Sequence, residues 1–100
     1  MLFSIHCRDA AGSAGPRQDK LADHLAHIET VVDAICVAGP LMDTDGKTVV
    51  GSLLVIEAED QAAATAFVEA DPYWSAGVWE SVDINPFVGA AGSWVGGVTW

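Results

Sequence analysis

The apolar residues of this chain change their period in a set order, and that order limits the folds open to it. Over residues 2–8, Phe3, Ile5 and Cys7 fall on one side and Ser4, His6 and Arg8 on the other, the period of a half-buried strand. Over residues 17–32 the period lengthens: Leu21, Leu25, Ile28 and Val32 recur every three or four positions, the stripe of a helix that Asp33 is expected to break. Residues 34–41 and 48–57 read as two strands. Asp43-Thr44-Asp45-Gly46 supplies the turn between them, with Gly where positive φ is required. Residues 59–70 read as a second helix opened by Glu59 and Asp60, whose charge suits the positive end. Its expected inner stripe is Ala63, Ala66, Phe67 and Ala70, and Asp71-Pro72 stops it because proline disfavours helix at the residue before it. Residues 78–87 alternate again as a fourth strand, and residues 9–16, rich in Gly, Ala and Ser, read as a loop.

The resulting order, β-α-β-β-α-β, is the split arrangement of ferredoxin-like α+β folds: a four-stranded antiparallel sheet with two helices on one face. The other face is left for water or a partner. With 51% hydrophobic and 18% charged residues in a chain of 100, the simplest partner is a second copy packed sheet to sheet, a homodimer. Residues 1–88 form the expected domain. Residues 89–100 are a Gly-rich tail carrying Trp94 and Trp100.

Charge excludes some functions. Fourteen acidic residues against four basic ones give a net charge of −10, so the chain offers no basic patch for nucleic acid or an anionic membrane. Cys7 and Cys36 stand in no metal or redox spacing, and residues 1–8 lack the basic start and apolar stretch of a signal peptide. The expected setting is a reducing cytoplasm.

Few residues are placed to do chemistry. With Leu21 at zero on a helical wheel, His24 falls at about 300°, beside Ile28 at about 340°, on the border of the apolar stripe. A titrating ring there meets both core and solvent, although a histidine that only packs its ring satisfies the same pattern. His27, at about 240°, is expected on the polar side; His24 and His27 without a Cys or Glu ligand pattern do not indicate a metal. Asp71 ends its expected helix, where a negative charge is disfavoured unless something compensates. It reads either as an Asp-Pro turn or as a carboxylate that orients His24. Tyr73, Trp74 and Trp79 cluster near it, as packing or as the walls of an apolar pocket. No Walker loop, dinucleotide fingerprint or nucleophile elbow is present, so no cofactor is indicated.

The segments His24-Leu25-Ala26, Ala38-Gly39-Pro40-Leu41, Gly51-Ser52, Glu57-Ala58, Ala70-Asp71-Pro72-Tyr73 and Asn85-Pro86-Phe87 occur here in the order seen in the YCII-related (YciI-like) family, and the resemblance spans residues 1 to about 88. It implies a ferredoxin-like fold, dimers resembling the dimeric α+β barrels, and an active-site pair at His24 and Asp71. Some members resemble dehydrochlorinases of chlorinated hydroxyhydroquinones. The expectation is an enzyme without a cofactor, acting on a small cyclic or phenolic molecule by His/Asp acid–base chemistry, as a lyase or dehydrochlorinase. Ser52, Tyr73 and Trp74 are the expected substrate contacts. The alternative is a dimeric module that binds a small molecule without turnover. The short uncharged loop over residues 10–15 and the Trp-bearing tail depart from the family pattern, so a relative's substrate does not transfer.

Overall fold

A computed structural model describes residues 1–100. The elements follow in order: β1 (Leu2–Asp9), α1 (Ala14–Asp19), α2 (Leu21–Val31), β2 (Ile35–Met42), β3 (Val49–Glu57), α3 (Gln61–Glu69), α4 (Pro72–Ser75), β4 (Trp79–Phe87), then a two-rung hairpin of β5 (Ala91–Gly92) and β6 (Gly97–Val98). The main sheet runs β2-β3-β1-β4, antiparallel throughout, with the helices on one face: the expected α+β fold. No helix is long and apolar enough to cross a membrane.

Register explains the core. Ile5 of β1 lies opposite Leu54 of β3 and Ile84 of β4, so alternate residues of three strands share one face. Phe3, Ile5, Cys7, Leu54 and Ile56 bury that face against Ala64 and Val68 of α3. The open face carries Ser4, His6 and Arg8 beside Leu53, Val55 and Asp83. At residues 43–48, Gly46 takes φ 68° as the turn requires. Asp45 receives the Thr48 hydroxyl and the Lys47 and Thr48 N–H groups, and these bonds, the hydroxyl's first, hold its carboxyl below the usual range.

Four details differ from the sequence reading. Part of the 9–16 loop is helix: α1 begins at Ala14, because Pro16 lies in the first turn, where N–H groups have no helical partner to lose. The stripe on α2 is not core. Leu25 is 50% exposed and Val32 55%, while Leu21, Leu25 and Ile28 line a cavity instead. The inner face of α3 is Ala64, Phe67 and Val68, about one residue round from the expected stripe, with Asp60 capping it by accepting the Ala63 N–H. His27 is half-buried rather than solvated, and its Nε2 is sealed off without a partner.

Candidate active site

His24 and Asp71 meet. Nδ1 of the imidazole lies 2.9 Å from Oδ1 and 2.8 Å from Oδ2 of Asp71, across 47 residues of sequence. Asp71 is placed by its own turn. The proline after it holds it extended, at φ −71° and ψ 133°, and it becomes the N-cap of α4 rather than the C-terminus of α3. Its Oδ1 accepts the Tyr73 N–H at 2.9 Å. The compensation that a carboxylate at a helix C-terminus would need is thus supplied by the start of the next helical turn and by the imidazole. Asp71 is only 4% exposed, and both its oxygens are engaged by polar hydrogens, as burial of a carboxylate demands. With Nδ1 taken, Nε2 of His24 is the free nitrogen and makes no hydrogen bond within the chain.

The fully buried ring of Tyr73 lies flat against the imidazole, with centroids 4.0 Å apart and planes 7° from parallel. Trp79 meets Tyr73 edge-on at 5.8 Å. The Tyr73 hydroxyl donates to the Arg17 carbonyl at 3.2 Å. Burial raises the Tyr73 pKa although the Arg17 charge works the other way, so the phenol keeps its proton.

Arg17 is the one cation on the cavity wall. Its Nε and Nη2 grip both oxygens of Asp9 at 3.0 and 2.9 Å, and Nη2 also reaches the Gly51 carbonyl at 3.3 Å and the Ser52 hydroxyl at 3.1 Å. Burial opposes its charge, but the hydrogen bond and charge of Asp9 outweigh that, and its pKa lies above the ordinary value. Two donors stay uncommitted: Nη1 of Arg17, and the Ser52 hydroxyl hydrogen, whose oxygen already accepts from Arg17.

These groups surround a cavity of about 350 Å³. Leu21, Leu25 and Ile28 of α2 form one wall, and Ala38, Gly39 and Pro40 of β2 with Leu54 form the other. His24, Ser52 and Tyr73 all line it. Trp74 does not: it is 42% exposed and lines a separate depression with Glu80 and Ser81, because the α4 turn points Tyr73 inward and its neighbour out. Asp9 and Arg17 were missed by the sequence reading. Seven residues of turn and helix separate them, with no periodicity to link them, and the only signal was the scarcity of cations.

The arrangement is a base held by a buried acid, facing an apolar slot that has hydrogen-bond donors on its wall. Such a slot suits a flat ring bearing oxygen substituents. The 5-chloro-2-hydroxyhydroquinone dehydrochlorinase of Burkholderia phenoliruptrix, solved in complex with 2,5-dihydroxybenzoquinone, superposes with a TM-score of 0.81 at 36% identity, covering 93% of this chain and 97% of that one. Protein YciI of Escherichia coli O6:H1 is 35% identical over 94 residues, 87% of this chain and 96% of YciI, and that of Shigella flexneri matches to the same extent. The family model described as the YCII-related domain matches residues 1–88. The chain belongs to the YCII-related family.

Proposed function

We propose that this protein is an enzyme acting on small oxygen-substituted rings, with His24 as general acid and base and Asp71 as the group that orients it. The observation that carries the proposal is the double contact of the His24 Nδ1 with a buried carboxylate, which leaves Nε2 free beside the cavity. Asp71 accepts the Nδ1 hydrogen, fixes the ring plane and balances the charge that appears when Nε2 takes a proton.

Loss of hydrogen halide from a halogenated, hydroxylated ring fits these parts. A hydroxyl proton passes by way of Nε2 to the halogen-bearing carbon, which becomes tetrahedral. A second hydroxyl then gives its proton to Nε2, its oxygen forms a carbonyl, and the carbon–halogen bond breaks with its electron pair leaving on the halide. No electrons leave the substrate–product pair, so the reaction calls for no external oxidant. Negative charge gathers on ring oxygen at each step, where Arg17 Nη1 and the Ser52 hydroxyl can donate to it. The likeness to the dehydrochlorinase supports the substrate class. We further propose that the protein works as a two-fold pair in a reducing cytoplasm, the pair formed through the open sheet face.

The test is chloride release from 5-chloro-2-hydroxyhydroquinone. Wild type is expected to release chloride, and His24→Ala to lower kcat by about 100-fold or more, within the usual worth of a general base. Asp71→Asn is expected to lower it too, since an amide does not hold the same tautomer. Unchanged rates in both variants would sink the assignment. A ring that binds and is recovered unaltered would make the site a binding module instead.

A further inference from the structure

A second cavity of about 400 Å³ adjoins the first, and nothing in the reaction above uses it. The two share Arg17, Leu21, Pro40 and Tyr73 as a common wall. Their chemistry differs: where the first is walled by Leu25, Ile28 and Leu54, the second is walled by Asp9, Ser13, Gln18 and Thr48.

Ser13 is the unexplained residue in that wall. It stands at the N-cap of α1, where a serine hydroxyl ordinarily accepts a helix N–H, yet its side chain makes no capping bond. The hydroxyl makes no other side-chain hydrogen bond either, although the residue is only 6% exposed. It is also not among the polar atoms sealed from solvent, so what little surface Ser13 keeps includes its oxygen. A hydroxyl that is almost wholly enclosed, reaches the chamber and makes no bond within the chain is free to pair with a group that enters the space.

We infer that this second chamber is a substrate subsite, and that the substrate is a ring carrying a short neutral arm ending in a hydrogen-bonding group such as a hydroxyl or a primary amide. The inference rests on the ring-binding reading of the first cavity and specifies its substrate. The ring lies beside His24 among Leu25, Ile28 and Leu54; the arm passes Arg17 and Leu21 to reach the Ser13 hydroxyl. Charge selects a neutral arm. The Arg17 and Asp9 charges cancel each other through two hydrogen bonds, so an ionic arm would find no free counter-ion. An anionic arm would also work against the overall charge of −10.

The experiment is titration calorimetry with two probes: hydroquinone, and hydroquinone carrying a hydroxyethyl arm on the ring. Wild type is expected to bind the armed probe about fivefold more tightly, the worth of one neutral hydrogen bond. Ser13→Ala is expected to erase that gain and leave the hydroquinone affinity where it was. Because this serine caps nothing, the variant is expected to fold. Ala14→Phe, which puts a ring into the same chamber, is expected to weaken only the armed probe. Equal affinities for the two probes in wild type would overturn the inference, as would a gain that survives Ser13→Ala. Either result leaves hydroquinone binding and chloride release intact as evidence on the ring site. Failure of both probes to bind would remove the ring-binding reading and this one together.

Discussion

The two cysteines are chemically opposite. Cys7 is fully buried in the sheet, and burial first, then the nearby charges of Asp71 and Asp9, push its pKa from 9.0 to about 12, against a smaller opposing effect of Arg17. Cys36 is exposed at the irregular start of β2. Iodoacetamide at pH 8 should therefore add once to the native protein and twice after denaturation, read by intact mass, because only an accessible thiolate reacts. Two rapid additions to the native fold would contradict this placement. The raised pKa also has a sign for stability. Below pH 9 the thiol is neutral in both states and its contribution is fully present; as pH rises toward 12 the unfolded chain ionises first and that contribution is lost. Urea midpoints for Cys7→Ala should fall less steeply between pH 9 and 11 than those of wild type. At this scale the sequence was informative about His24, whose half-buried border position follows from helical period alone. It was silent on Arg17 and Asp9, because an ion pair that closes a turn leaves no periodic trace.

At the scale of elements, the site depends on how closely β1 and β3 approach. A side chain on Gly51 would collide with the Cys7 backbone carbonyl oxygen, which cannot swing aside as a flexible side chain does. The Gly51 carbonyl also accepts from Arg17. Gly51→Ala should thus cost about 1–3 kcal/mol and lower the melting temperature by about 4–8 °C for each of them. A melting temperature unchanged by this substitution would mean that the strands have room to spare. Alternation made β1 and β4 legible, while the turn over residues 43–46 and the Val, Leu and Ile of residues 48–57 marked the hairpin of β2 and β3. The helices were harder to read. The α1 segment has a loop's composition, Gly15 and Pro16 included, and its helix is tolerated only because proline sits in the first turn. The α2 stripe was read with the right period but the wrong destination, because a row of leucines looks the same whether it faces core or cavity.

The whole molecule exposes more than its mass requires. Its surface is 6202 Å², against about 5,400 Å² expected for a compact monomer of 10.4 kDa. The surplus, about 800 Å², matches what one partner gives up in a standard interface. Part of it is the tail, where Trp94 in the β5–β6 hairpin and Trp100 beyond it stand in the open; the rest includes Val37 and Leu53 on the bare sheet face. Sedimentation at micromolar concentration should give twice 10.4 kDa, and a stable monomer there would refute the two-fold pair. Composition pointed to a partner and the order of elements to the bare sheet face; the strand register adds which residues line it.

One carboxylate serves both the backbone and the imidazole. Asp71 starts the α4 turn through the Tyr73 N–H and holds His24 through the same oxygen. A molecule in which residues 72–75 have not yet closed therefore has no aimed base, whatever else has formed. The aim of the imidazole is thus tied to closure of that turn. Under the proposed chemistry, whose product is an electrophilic quinone, that dependence confines turnover to the finished fold.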